Sequence, residues 1–413
     1  MKFLRTASTR RLLATLAGLL VAIAAGTAIA VAASGPGPVP PPSSLALALH
    51  QAAAAPAVTG ITARISFTNQ LIDSSDLVDS DPILTGATGR LWVSSDHHLR
   101  LELQSDNGDA QIVVTNGSFW ISDPSAHTVY EGTLPGQRAA PTNRAHPSTA
   151  EHDQVPTVAQ LQSDLTRLMA HVDLSGAIPS DVAGQAAYTV RVSPQHDGGL
   201  LGAAEVAWDA ARGVPLRVAV YATNDSSPVL QLKATDISYG PVAASVFAIS
   251  PPAGAKVVRI STPPAHDSGA SMDHGSAAHA RARHPEVIGA AAVARHLPFR
   301  LVAAKTLVGL PRRTVTLLDW AGSPAALVAY GQNLGGIAVI EQTASSATGA
   351  ASQSANQARG GGFNLPTVSI DGATGQELDT ALGTLVRFTR DGVTYTVVGS
   401  VPPAAADAAA RAL

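Results

Sequence analysis

From Gly89 to Tyr130 the chain reads GRLWVSSDHHLRLELQ and then AQIVVTNGSFWISDPSAHTVY. Apolar residues alternate with polar ones: Leu91, Trp92 and Val93, then Leu99, Leu101 and Leu103, then Ile112 and Val114, then Phe119 and Ile121. Short Asp/Asn/Gly/Ser turns separate the runs. A period of two broken by such turns predicts a meander of antiparallel strands with one buried face. The stretch carries little acid, base or nucleophile chemistry. A chain of this kind is expected to hold something apolar rather than to convert it.

Composition narrows the class. The 413 residues allow two or three domains. A net charge of -3 spread over that length gives no basic surface for a nucleic-acid partner. With 0 cysteines, a disulfide, a thiol nucleophile, a cysteine metal site and a lipid-acylated N-terminus are all excluded. Lys2, Arg5, Arg10 and Arg11 form a basic start, and Leu12 to Ala33 then runs without a charge. That run matches the ~20 apolar residues a membrane-spanning helix needs, and the basic flank puts its N-terminal side in the cytoplasm. Ala28, Ala30 and Ala32 also offer a signal-peptidase site, so secretion after cleavage is the alternative. Either way the bulk of the chain is expected outside the cytoplasm.

The organisation follows from pattern changes. Residues 1–33 form the anchor or signal and 34–43 a Pro/Gly spacer, SGPGPVPPP at its heart. Residues 44–251 form the first domain. Ser44 caps a helix running to Ala54, with Leu45, Leu49 and Ala52 on one face. A strand is predicted from Ile61 to Thr68, then the meander. Gly136 to Pro156 is a polar surface loop. Thr157 and Gln160 fit a capping box for a helix with Val158, Leu161, Leu165 and Leu168 at helical spacing. Further strands are expected at Ala187–Val192, Ala203–Trp208, Pro215–Ala222 and Val229–Ile237, with a short last one at Val242–Phe247. Residues 252–284 read as a disordered linker in which His266, His274, His279 and His284 are incidental. Residues 285–413 form a second, small α+β domain. It has an opening helix (Val287–Ala294), strands at Thr314–Trp320, Ala325–Gln332 and Gly335–Gln342, and a loop from Ala344 to Gly362. A helix capped by Thr374 and Glu377 with Leu378, Leu382 and Leu385 follows, then a hairpin about Arg390-Asp391-Gly392 and a terminal Ala-rich helix.

With these pieces in order, the first domain resembles the LolA-like superfamily of bacterial envelope proteins. Its members include lipoprotein carriers, mycobacterial lipid-transfer lipoproteins and RseB-type regulators of anti-sigma factors. The resemblance covers Ser43 to Pro251. It rests on the strand pair GRLWV…HLRLEL (Gly89 to Leu103), on VVTNGSFWISDP (Val113 to Pro124) and on WDAARGVPLR (Trp208 to Arg217), with the Thr157 helix where the family places a lid. It implies an α+β fold: a curved antiparallel sheet, an unclosed barrel of about ten or eleven strands, with lid helices over its concave side. It further implies that the cavity takes a lipid or lipoprotein acyl chain, each buried CH₂ contributing about 0.8 kcal/mol. The residues expected to line it, chosen by apolar size, are Ile65, Phe67, Trp92, Leu101, Leu103, Val114, Trp120, Leu165, Val190 and Trp208. The segments Gly309 to Trp320, Val328 to Gln342 and Gly392 to Leu413 resemble an uncharacterised C-terminal module of such envelope proteins. RseB-type proteins also join a LolA-like domain to a smaller one, so a regulatory protein that senses envelope state and docks a membrane partner is the alternative.

Catalytic signatures are missing. The sequence has no G-x-S-x-G elbow, no H-E-x-x-H and no P-loop. Glu151-His152-Asp153 falls in the polar loop and His97-His98 in a hairpin turn, where solvated side chains are the ordinary case. No enzyme, cofactor, metal site or catalytic residue is expected.

Overall fold

A computed structural model describes residues 37–72, 82–105, 108–124, 127–134, 155–196, 198–223, 225–260, 287–320, 323–344 and 365–413. The uncharged run Leu12–Ala33, the Glu151-His152-Asp153 triplet, the linker histidines and most of the Ala344–Gly362 loop lie outside them. Among the described residues no helix is long and apolar enough to cross a membrane.

The chain forms two compact units. The first opens with helix α1 (Leu45–Ala54), whose cap is the expected one: the Ser44 hydroxyl accepts the Leu47 N–H at 3.3 Å. Strand β1 (Gly60–Asn69) and a short helix α2 (Pro82–Thr85) lead into the meander β2 (Ala87–Ser94), β3 (Leu99–Ser105), β4 (Gly108–Thr115), β5 (Ser118–Asp123) and β6 (Thr128–Thr133). Asn116 and Gly117 turn β4 into β5 with φ of 49° and 76°, the left-handed pair a two-residue hairpin requires. Helix α3 (Val158–Leu168) carries the full capping box between Thr157 and Gln160. Then come β7 (Val172–Leu174), β8 (Ile178–Val182), β9 (Gln185–Pro194), β10 (Leu201–Asp209), β11 (Pro215–Ala222), β12 (Pro228–Tyr239) and β13 (Lys256–Ile260).

All of these strands join one 13-stranded sheet, in the order β13-β6-β5-β4-β3-β2-β1-β12-β11-β10-β9-β7 with β8 also on β9. The unit is sheet-rich with few helices, as expected, but larger than ten or eleven strands. Three expectations are corrected. Short β7 and β8 add to the expected strands. Val242–Phe247 is no strand: it holds a 3₁₀ turn at Ala244–Val246 that seats Phe247 against His98 at 5.5 Å. The stretch assigned to linker begins with β13, which pairs in parallel with β6, so the two partners are far apart in sequence.

The WDAARGVPLR segment is the turn joining β10 to β11, and it is buried. Asp209 is 1% and Arg212 4% exposed. Arg212 Nη1 donates to Asp209 Oδ2 at 2.8 Å, and the Tyr239 hydroxyl donates to the same oxygen at 2.8 Å. Asp209 Oδ1 accepts the N–H groups of Ala211 at 2.8 Å and Arg212 at 3.0 Å. The guanidinium lies over the Tyr239 ring at 4.2 Å. Burial, then the Asp209 charge, push the Tyr239 hydroxyl far above its ordinary pKa. Gly213 has φ of +67°, and a Cβ there would meet the Ala52 carbonyl of α1 at 2.4 Å, so only glycine fits.

The second unit contains helix α4 (Ala290–Ala294), strands β14 (Thr306–Leu307), β15 (Leu310–Trp320), β16 (Ser323–Tyr330), β17 (Ile337–Thr343), β18 (Thr367–Ile370), β19 (Ala373–Thr380), β20 (Gly383–Arg390) and β21 (Val393–Gly399), and helix α5 (Pro403–Arg411). They build an eight-stranded sheet in the order β14-β15-β16-β17-β21-β20-β19-β18, with α5 packed on β20 and β21. The helix expected after Thr374 is instead strand β19. Its Leu378 faces Leu385 across the β19–β20 pair.

Glu341, on β17, is 0% exposed at the centre of this sheet. Its Oε2 accepts the Val302 N–H at 2.9 Å, while Oε1 has no hydrogen bond. Burial pushes the carboxyl up to about 7, against the pull of the Val302 and Ala303 amides, which favour the anion.

Two measurements test these buried charges. Arg212→Ala leaves Asp209 without its counter-ion and is expected to cost on the order of 3–5 kcal/mol in urea unfolding of the first unit. Glu341 is protonated in the folded state below pH 7 and ionised in the unfolded state above its ordinary value of 4.5. Its stabilising protonation is therefore complete at low pH and lost as pH rises towards 7. Protection of the β17 amides against hydrogen exchange in the full chain, corrected for intrinsic rate, is expected to fall by on the order of 3 kcal/mol between pH 4.5 and pH 8. Glu341→Gln should remove most of that dependence.

Candidate functional site

The expected cavity residues fall into separate places. On β1 to β4 the register lines up one apolar face: Ile65 lies opposite Gly89, Leu103 opposite Gly89 and Ala110, Leu101 opposite Leu91 and Ile112, and Leu99 opposite Val114. Ile65, Leu101, Leu103 and Val114 are 3–6% exposed and belong to one buried cluster, with Phe67 packed against it. These residues are brought together.

Trp92 and Trp120 are not. They occupy the alternate positions of β2 and β5 and so lie on the other face. Trp92 is opposite Arg100, whose guanidinium sits 5.3 Å from the centre of its ring. Trp120 is opposite Val113 and Glu131. Val190 and Trp208 form another group, with Tyr188, beneath Leu45, Ala48, Leu49 and Ala52 of α1. The Tyr188 and Trp208 rings are 6.1 Å apart, and the Tyr188 hydroxyl donates to the Pro41 carbonyl at 2.7 Å, tying the chain before α1 to the sheet. Leu165 is half-buried on α3, which buries no residue fully. Helix α3 packs against α1, and the ring Nδ1 of His50 on α1 lies 2.8 Å from the Pro156 carbonyl just ahead of α3.

The sheet also carries two open hollows. One, of about 510 Å³, lies at the ends of β4, β5, β6 and β13 and is lined by Ser118, Phe119, Trp120, Glu131 and Arg259 among others. The second, of about 330 Å³, is lined by Arg64, Thr88, Arg90, Gln104 and Thr235 with Ile65 and Gly89. The sequence reading does not single out its two arginines. They stand at the polar positions of strands that the sequence does show, but only the pairing of β1 with β2 reveals that they face each other.

A further polar group lies on β9 to β11. Glu205 accepts from Arg191 at 3.0 Å, from Arg217 at 2.7 Å and from the Tyr221 hydroxyl at 3.0 Å, and Arg191 covers the Tyr221 ring at 4.5 Å. Burial, and then the Glu205 carboxylate, raise the Tyr221 pKa. Three donors on one carboxylate fill most of its roughly four acceptor sites and tie β9, β10 and β11 together. Among the described residues no cluster of His, Asp and Glu is placed to hold a metal ion. His97 is in the β2–β3 turn, and His98 Nε2 lies 3.3 Å from Asn116 Oδ1.

No protein-family model matches the chain, and no curated protein matches it. Among solved structures it is similar to the complex structure of Pseudomonas aeruginosa MucA/MucB, at 16% identity over 89% of this chain and 95% of that one, with a TM-score of 0.39. It is similar to an uncharacterized conserved protein from Thermus thermophilus, at 12% identity over 52% of this chain and 97% of that one, with a TM-score of 0.31. It is also similar to a putative outer membrane lipoprotein-sorting protein domain from Vibrio parahaemolyticus, at 11% identity over 50% of this chain and 96% of that one, with a TM-score of 0.18. At these TM-scores the likenesses assign neither a family nor an activity to the chain.

Proposed function

We propose that this chain is a non-enzymatic extracytoplasmic envelope protein whose first unit binds a lipid or the acyl chain of a lipoprotein against the apolar face of β1 to β4. The observation that carries the reading is the continuity of that face: Ile65, Val93, Leu101, Leu103 and Val114, with Phe67 beside them, from four neighbouring strands. The face is 3–6% exposed, so an acyl chain that enters it gains about 0.8 kcal/mol per buried CH₂ less the cost of parting the residues packed there and of ordering the chain. Helix α3 is the mobile cover in this reading. It is amphipathic, it buries no residue fully, and its Leu168 is 45% exposed. A helix held so lightly, packed on α1, moves away at little cost. The run Leu12–Ala33 holds the protein to the cytoplasmic membrane, which limits it to ligands within reach of its spacer.

A second reading rests on the two compact units of the chain. In it the first unit senses a ligand and the second docks an envelope protein partner, as in RseB-type regulation. The two readings share the ligand and differ in the partner. Crosslinking in an exporting host distinguishes them: recovery of a specific membrane protein through the second unit favours regulation, and its absence favours local lipid handling.

The decisive experiment is native mass spectrometry with lipid extraction on the exported protein. A stoichiometric amphiphile is expected, and the delipidated protein should take up a fluorescent fatty-acid probe. A protein that carries nothing and binds no probe has a filled core and sinks the proposal. In the binding-competent case, Leu161→Asp with Leu165→Asp on α3 should speed probe release by roughly tenfold, a loss of about 1.4 kcal/mol, with little change in the unfolding of the sheet.

A further inference from the structure

The face of the sheet opposite the apolar one carries a charge arrangement that folding alone disfavours. The register of β12, β1, β2 and β3 sets Asp236, Arg64, Arg90 and Glu102 side by side in one row. Arg64 and Arg90 are directly opposed, and like charges in that position repel; Asp236, across from Arg64 on β12, offsets part of this without reaching ion-pair distance. Glu102 does not relieve Arg90, because its carboxylate is engaged by Arg100. Among the described residues neither Arg64 nor Arg90 reaches a carboxylate within ion-pair distance. Both are exposed. The next row adds a third cation: Lys233 stands opposite Ser66, which stands opposite Thr88.

The backbone changes at the same place. The β1–β12 register shifts between Arg64 and Ile65, which leaves Thr235 as an extra, exposed residue of β12. Bulges of this kind re-aim side chains and locally open the ladder. The result is the hollow of about 330 Å³ into which Arg64, Arg90, Thr88, Gln104 and Thr235 converge. Two guanidinium groups supply charged donors, the two threonine hydroxyls and the glutamine amide supply neutral ones, and the hollow is wide enough for a tetrahedral oxyanion.

We propose that this hollow is a phosphate-group site, with Arg64 and Arg90 as its charged ligands and Thr88, Gln104 and Thr235 completing the shell. A bound phosphate turns the unfavourable Arg64–Arg90 pair into two charge-assisted contacts. The group comes either from a small phosphorylated solute or from the headgroup of an anionic phospholipid. Its charged and hydroxyl ligands stand on the face opposite the lipid-binding one, and the two sites meet only at Ile65 and Gly89, which also line the hollow.

The test is calorimetric titration of the full chain with inorganic phosphate and, separately, with glycerophosphoglycerol, the soluble headgroup of phosphatidylglycerol, at constant ionic strength. Saturable binding of at least one is expected, weakened by about tenfold or more in Arg64→Gln and Arg90→Gln and lost in the double variant. Stronger binding of the diester assigns a lipid headgroup, and stronger binding of phosphate assigns a phosphorylated solute. The variants should melt in chloride within a few degrees of the parent, because both arginines are exposed and the lost Arg64–Arg90 repulsion offsets the lost attraction to Asp236, which shows that they fold. The proposal is overturned if the parent binds neither probe, or if the double variant binds as the parent does.

Discussion

Strand β1 pairs with β2 on one side and with β12 on the other. It is thereby the seam between a meander that precedes α3 and a second meander that follows it. Each half taken alone is a run of local hairpins with two edges. Joining Ile61 to Tyr239, near opposite ends of the unit, turns them into one sheet and buries two edges at once. That pairing closes a very long loop and so carries a larger closure entropy than any of the local hairpins it joins. The apolar cluster depends on it, because Ile61, Ala63 and Ile65 of β1 connect the residues of β2 to β4 with Ile237 of β12 and Leu216 of β11.

The Asp209–Arg212–Tyr239 group follows from the same constraint. Tyr239 is the residue that β12 sets opposite Ile61, and its hydroxyl reaches back to the β10–β11 turn. The turn therefore anchors the strand that carries the seam. Its charges are buried with nearly every valence met, which fixes one geometry without any need for net stabilisation. The WDAARGVP pattern is thus explained by folding, and its presence in a sequence speaks for this arrangement of strands and not for any ligand.

What is legible in the sequence is whatever is local and periodic. The β2–β6 meander, the α1 cap and the Thr157 capping box are set by neighbours within a few residues, and all of them form. The Thr374–Glu377 signature follows the same capping-box pattern as Thr157–Gln160 and forms a strand. Leu378, Leu382 and Leu385 mimic helical spacing because a hairpin intervenes: Thr380 and Gly383 close the turn, and Leu378 meets Leu385 across it. Asp371 and Gly372, with φ of 47° and 86°, begin that strand by ending the previous one. Strand β13 escapes a sequence reading for a different reason. It is five residues long and its partner is β6, so no local pattern announces it.

The division of the sheet into two chemistries marks the limit of what alternation conveys. Leu91, Trp92 and Val93 are consecutive apolar residues, so β2 offers no period to say which of them faces inward. Size favours the tryptophan, and the register decides otherwise. Trp92 shares its face with Arg64, Arg90 and Arg100, and Arg100 stacks on it. An indole can cover a charged surface as well as line an apolar one, because its π face attracts a guanidinium while its bulk excludes water. The tryptophans therefore locate strands in this chain but not its apolar face. The smaller aliphatic residues Ile65, Leu101 and Leu103 do, because their only favourable environment is the dry one.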